Sequence, residues 1–232
     1  MAPVKIYRDI LTPSCRAVML TAANVGIEVE SIPINPMEGE TRTPEFLKMN
    51  PCHTIPTMDD NGLYLSESRA ILGYLVNRYG KNDSLYPQDP VPRAMVDNYL
   101  YFDMGLWSKT YDFFAPVAFK SEKLSFATKR EKSFDEGAKR AVEEGLGHLE
   151  IFLTTGGPWV AGDHMTIADF TLIATVSSIM AIGQFTTDKH PKIQEWMYRC
   201  KVEMKDYDEY NGKPCEVFSQ FIGGKIIQNL QQ

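Results

Sequence analysis

A chain of 232 residues can bury a sizeable core in one or two domains, which excludes a peptide or a disulfide-stapled mini-scaffold. Apolar residues at 44% and charged residues at 23% fit a folded globule and exclude a disordered tail, a collagen and a membrane bundle. With 24 basic against 30 acidic side chains the net charge is -6, so no nucleic-acid partner is expected and any anionic ligand must meet donors arranged locally.

The start of the chain carries Pro3 and Lys5 and no apolar run of signal-peptide length, so a cytoplasmic location is expected. Residues 4–7 form a short apolar run, predicted to be a strand, and residues 15–25 repeat Val18, Ala22 and Val25 at helical spacing. Residues 28–34 alternate again, completing a β-α-β unit with Thr12-Pro13-Ser14 at the strand-to-helix junction. Residues 55–58 and 63–65 flank Asp59-Asp60-Asn61-Gly62, whose Asn-Gly predicts a tight hairpin, and residues 67–79 read as a helix. The order β-α-β, connecting segment, β-β-α is that of an α/β thioredoxin-like domain, placed at 1–80. Residues 81–92, rich in Asn, Asp, Ser and Pro, read as a linker.

Beyond the linker, strand signals vanish. Helical windows at 94–115, 128–153, 167–181 and 192–203 predict an all-α bundle over 93–232. The most apolar stretch, 167–183, is interrupted by Asp169, Thr171 and Thr175, which suits a buried helix better than a bilayer span, so no membrane partner is expected. Thr166 and Asp169 have the spacing of a capping box, with Met165 and Phe170 as its staple, and are expected to be structural.

The four cysteines, Cys15, Cys52, Cys200 and Cys215, form no CxxC pair and have no zinc-ligand spacing, so no metal and no disulfide framework are indicated. Thr12-Pro13-Ser14-Cys15 lies where N–H groups and the positive helix end favour an anion. A dithiol enzyme would need its nucleophilic cysteine at position 12, where this chain has a hydroxyl. That hydroxyl can instead stabilise the thiolate of a bound thiol. A free thiol of pKa about 8.5 is only roughly 3% ionised at pH 7, and each pH unit of lowering needs about 1.4 kcal/mol. The alternative reading of Thr12 is a plain N-cap, and Ser14 is the alternative donor.

In Asn50-Pro51-Cys52-His53-Thr54-Ile55-Pro56, a proline at a strand start leaves an open edge, and a cis bond before it aims the backbone of Ile55 at an extended peptide. His53 reads either as a ligand contact or as a surface histidine. In Ser66-Glu67-Ser68-Arg69, the Ser68 hydroxyl and helix N–H groups suit a carboxylate and Glu67 suits an ammonium; a simple helix cap is the alternative.

Together these segments resemble the cytosolic glutathione transferases of the arthropod delta and epsilon classes, nearest to epsilon. The marks are Thr-Pro-Ser-Cys-Arg at 12–16, Asn-Pro-Cys-His-Thr-Ile-Pro at 50–56, Glu-Ser-Arg-Ala-Ile at 67–71, Tyr-Gly-Lys-Asn-Asp-Ser-Leu-Tyr-Pro at 79–87 and Ala-Gly-Asp-His-Met-Thr-Ile-Ala-Asp-Phe at 161–170. The resemblance implies glutathione as co-substrate, no permanently bound cofactor, and a homodimer. It places the γ-glutamyl end at Glu67 and Ser68, the cysteinyl backbone at Ile55 beside cis Pro56, and the glycyl carboxylate at His53 and Thr54. It also makes Arg69 and Asp103 a supporting charge pair near the dimer interface. Thr12 replaces the usual catalytic serine, Cys52 the usual glutamine, and Thr41 a histidine common in the delta class.

Leu100, Asp103, Trp107, Tyr111 and Phe114 recur on one helical face, along which the family places its pocket for hydrophobic electrophiles. Trp107, Tyr111, Phe114 and the tail Phe218 are the expected pocket residues, with Phe221 at the mouth; an aromatic stripe of this spacing can equally be core. The functions that compete are glutathione conjugation for detoxification, with elimination or peroxide reduction as side activities, a non-catalytic carrier of apolar ligands, and a thiol-disulfide oxidoreductase working through Cys15.

Overall fold

In the computed structural model, which describes residues 3–119 and 133–230, β1 (Val4–Arg8) turns Val4 and Ile6 into the core and its other side chains outward. The chain then enters α1 (Pro13–Val25) through Thr12. Proline at the first helical position costs no hydrogen bond, and Gly26 ends the helix at φ 84° with its N–H on the Ala22 carbonyl at 3.0 Å. Strand β2 (Val29–Pro33) pairs parallel to β1, while β3 (Thr57–Asp60) pairs antiparallel to it. Strand β4 (Leu63–Leu65) completes a sheet of order β2-β1-β3-β4. Asn61 and Gly62 both take positive φ, 54° and 93°, as a two-residue turn of this kind requires. The third strand starts two residues later than expected, because Pro56 has no N–H to give a ladder.

Helix α3 (Ser68–Tyr79) closes the domain. The connecting segment contains two 3-10 turns, Pro36–Glu38 and Glu40–Arg42, and α2 (Pro44–Met49), none of which the sequence pattern announced. Helix α4 (Pro90–Ala118) starts inside the expected 81–92 linker: Pro90 and Pro92 lie in its first turn, where proline is tolerated, and the Asp89 carboxylate accepts the Val91 N–H at 2.8 Å.

Helices α5 (Glu136–Gly156), α6 (Ile167–Ala181) and α7 (Pro191–Glu203) follow. Residues 128–132 of the expected 128–153 helix lie outside the described residues. A π-helical turn (Asp208–Gly212) leads into α8 (Lys213–Leu230), a helix the sequence reading did not assign. Among the described residues no helix is long and apolar enough to cross a membrane.

Helix α1 joins the two halves, packing on α3 and on α6, which explains why Val18 and Leu20 are fully buried. The start of α6 is anchored by Asp169. Its buried carboxylate accepts the Thr166 N–H at 2.8 Å, the Val160 N–H at 3.1 Å and the Trp196 indole N–H at 2.9 Å. Burial pushes this carboxyl up in pKa and these donors pull it down. Asp169→Ala strands three buried donors and is expected to lower stability by about 3 kcal/mol or more, read as an earlier midpoint in urea denaturation. A midpoint unchanged from wild type would show that the donors find other partners.

Candidate functional site

The register of the sheet assembles the site. Tyr7 faces Thr57 and Met58 faces Leu65, so the end of β1, the start of β3 and the end of β4 share one edge. The segments that leave this edge are the entry to α1, residues 50–56 and the start of α3, and they carry the three motifs.

Thr12 is the N-cap residue of α1, with φ -83° and ψ 121°, and its carbonyl accepts the Cys15 and Arg16 N–H groups at 3.1 Å. Its side chain makes no cap hydrogen bond, so the hydroxyl is not consumed by the helix start. Ser14 lines a small cavity of about 20 Å³ with Ser68, Arg69, Asp103, Trp107, Thr171 and Thr175 among its walls. Cys15 is fully buried, and burial pushes its thiol up to about 12. A thiol held so firmly protonated is no nucleophile at neutral pH, which removes the oxidoreductase reading through Cys15.

Residues 50–57 are organised by Asn50, a role that the sequence reading missed although the residue stands in the quoted motif. The buried Asn50 amide donates to the Thr54 carbonyl at 2.9 Å, the Thr54 hydroxyl at 3.1 Å and the Thr57 hydroxyl at 3.0 Å, and its Oδ1 accepts the Cys52 N–H at 3.0 Å. His53 is held at φ 48° with its N–H on the Asn50 carbonyl at 3.0 Å. The signal was the Asn-Pro pair, an asparagine able to bond backbone two residues on. The Ile55–Pro56 bond is cis. Ile55 lies outside the ladder that begins at Thr57, while Cys52 and Thr54 are exposed. Thr41 is buried in the second 3-10 turn.

Glu67 caps α3 by position and is exposed, with no side-chain hydrogen bond to the helix start; Ser68 is buried at the first position. Arg69 reaches α4, where its Nε donates to the Leu100 carbonyl at 2.8 Å and its Nη2 pairs with the Asp103 carboxylate. Asp103 is 1% exposed: burial raises its pKa, and Arg69 and the hydroxyls of Thr175 and Thr171 oppose the rise. This pair ties the start of α3 to the helical domain.

The aromatic stripe resolves into core and wall. Phe114 and Phe218 are buried and meet edge-on with centroids 6.1 Å apart, while Trp107 and Tyr111 are half-buried around Phe114 at 6.0 and 5.5 Å. A cleft of about 890 Å³ lies beside them and is lined by none of these four. Its apolar surface comes from Ile10, Leu11, Pro33, Ile34, Met37 and Phe221, and Arg8, Lys225 and acidic side chains stand around it. Phe221, half-buried on α8, connects the cleft to the aromatic cluster through Phe119 at 6.4 Å.

Residues 2–77 match the family of the glutathione S-transferase N-terminal domain, and residues 112–205 match that of the glutathione S-transferase C-terminal domain. The chain belongs to the glutathione S-transferase family. It is 39% identical to glutathione S-transferase D7 of Anopheles gambiae over 98% of this chain and 100% of that one, and 41% identical to glutathione S-transferase D7 of Drosophila melanogaster over 100% and 96%. Among solved structures, a delta-class glutathione transferase of Nilaparvata lugens superposes with TM-score 0.88 at 35% identity, covering 96% of this chain and all of that one. Glutathione transferase E6 of Drosophila melanogaster gives 0.83 at 32% identity over 96% and 97%. A glutathione transferase homolog from Drosophila mojavensis, solved with bound glutathione, gives 0.82 at 33% identity over 97% and 98%.

Two outcomes test this geometry. Asn50→Ala leaves the 51–56 loop without its organiser and is expected to lower stability by about 1–3 kcal/mol, measured by thermal denaturation. Native-state alkylation near neutral pH is expected to modify exposed Cys52 and to leave buried Cys15 and Cys200 untouched until the protein unfolds; labelling of Cys15 in the folded protein would contradict the burial.

Proposed function

We propose that this enzyme holds glutathione extended along the shared strand edge and activates it as a thiolate at Thr12. The observation that carries the reading is the Thr12 hydroxyl, which stands at the N-terminus of α1 unused by the cap. An O–H donor and a positive helix end both favour the charged form of a thiol, and neither is itself consumed. Cys15, the only thiol in this turn, is buried, and burial holds its thiol protonated, which supports a nucleophile supplied by the ligand. Ser14, which lines a cavity with Ser68 and Arg69, is the alternative donor.

In the same reading the γ-glutamyl end lies at Glu67 and Ser68 with Arg69 behind them, the cysteinyl backbone pairs at Ile55 beside Pro56, and the glycyl carboxylate meets His53 and Thr54. The asparagine-braced loop supplies the preorganisation that an extended peptide needs. The thiolate then attacks an electrophilic carbon in the adjacent cleft. The carbon–sulfur bond forms as the leaving group departs with its electron pair. Leu11, Ile34 and Phe221 suit an apolar second substrate, with Trp107, Tyr111, Phe114 and Phe218 forming the packed wall behind rather than the contact surface. Detoxification of hydrophobic electrophiles in the cytoplasm is the corresponding role. Val91, Met95, Tyr101 and Met104 lie exposed along α4, which supports a homodimer.

Turnover of glutathione with a chromogenic aryl halide tests the reading. Thr12→Ala is expected to lose roughly 10²–10³ in kcat, the worth of a preorganised donor on developing charge, and Thr12→Ser to retain activity. Serine removes the methyl that restricts the hydroxyl rotamer. Full activity in Thr12→Ala would remove Thr12 from the chemistry, and glutathione binding without turnover of any electrophile would make the chain a carrier.

A further inference from the structure

Arg16 lies one turn after Thr12, on the side of α1 that faces α6, and only 1% of it is exposed. Its hydrogen-bond partners are all neutral. Nη1 donates to Asn211 Oδ1 at 3.0 Å, and Nη2 donates to the Ala174 carbonyl at 3.1 Å and to the Ser178 hydroxyl. The network continues without a charge, as the Asn211 amide donates to the Ser177 hydroxyl at 3.0 Å and the Cys215 thiol to the Ser177 carbonyl at 3.2 Å. Among the described residues no carboxylate forms an ion pair with Arg16, and its Nε has no hydrogen-bond partner. Burial pulls this guanidinium down in pKa, and the neighbouring Cys215 is the first group opposing that. Arginine keeps its proton under such pressure, so a buried positive charge is left without a counter-ion.

A pocket of about 210 Å³ opens against this residue, between α1, the π-helical turn and α8. Its wall carries Arg8, Arg16 and Lys213 against one acid, Glu209. Arg8 is held in place by its Nε on the Ser31 hydroxyl at 2.7 Å. Ile10, Met19 and Val217 supply an apolar side. The adjoining turn, Asp208–Gly212, is π-helical and sends Asn211 inward to the guanidinium; π turns of this kind occur frequently at functional sites.

We propose that this pocket is a second ligand site that takes a small carboxylate with a short apolar tail, the carboxylate among Arg16, Arg8 and Lys213 and the tail on Ile10, Met19 and Val217. Guanidinium groups match carboxylates with paired hydrogen bonds, and the buried Arg16 Nε has no protein partner. The volume is below that of pockets for drug-sized ligands, roughly 300–1,000 Å³, which excludes a long-chain lipid. A bare inorganic anion would leave the apolar wall unused. The site is separate from the glutathione edge and meets the large cleft only at Arg8 and Ile10, which line both.

Isothermal titration of the full-length protein with octanoate tests the proposal. One saturable equivalent is expected, about tenfold weaker in Lys213→Glu and undiminished by saturating S-hexylglutathione, which occupies the glutathione edge and the cleft. Lys213 is exposed, so its variant keeps the fold and decides the matter even where Arg16→Gln, expected to abolish binding, fails to fold. Absence of saturable binding, equal affinity in Lys213→Glu, displacement by S-hexylglutathione, or inorganic phosphate binding as tightly as octanoate would each overturn it.

Discussion

Everything at the functional edge depends on β3 lying between β1 and β4 in one register. Tyr7 opposite Thr57 and Met58 opposite Leu65 bring together three chain segments that are up to about 55 residues apart in sequence. A slip of one residue would turn Met58, fully buried, out of the core and move the 50–56 loop away from the start of α1. The hairpin turn at Asn61-Gly62 and the Asn50 network on the other side of β3 hold that strand from both ends. The helical domain then adds its own restraint through Arg69 and Asp103, which tie α3 to α4.

In the proposed reading, the helix start that a dithiol enzyme would use for its own cysteine serves a foreign thiol. Position 12 contributes a hydroxyl, position 15 a thiol sealed by burial, and the helix end its positive potential. In this proposal the labour is divided: the protein supplies electrostatics and the tripeptide supplies the nucleophile. With a net charge of -6 the overall field repels an anionic ligand, so in the proposed reading attraction is local, from N–H groups at helix starts and from Arg69 behind them. The uncompensated Arg16 is a second local positive centre, one turn further along α1.

Much of this was legible in the sequence. Strand alternation, the Asn-Gly turn and the long helical windows gave the order of elements because each is a local pattern set by period and turn chemistry. Where the reading fell short, the missing information was three-dimensional. Spacing put Trp107, Tyr111 and Phe114 on one face of α4, but only packing shows that Phe218 meets Phe114 edge-on and that Leu11, Ile34 and Phe221 line the neighbouring cleft. Helix α8 carries Pro214 and Gly223-Gly224, residue types that disfavour a helix; Pro214 stands in the first turn, where it costs little. The bonds from Asn50 to Thr54 and Thr57 were equally out of reach, since an amide's partners depend on the path of the loop it organises.

The central claim, that Thr12 holds a glutathione thiolate, is tested most directly by following the ultraviolet absorbance of the thiolate of bound glutathione across pH in wild type and in Thr12→Val. The valine keeps the shape of the side chain and removes only the hydroxyl. The account predicts a midpoint about two pH units below that of the free thiol in wild type and a return toward the free value in the variant. The same low midpoint in both proteins would contradict it.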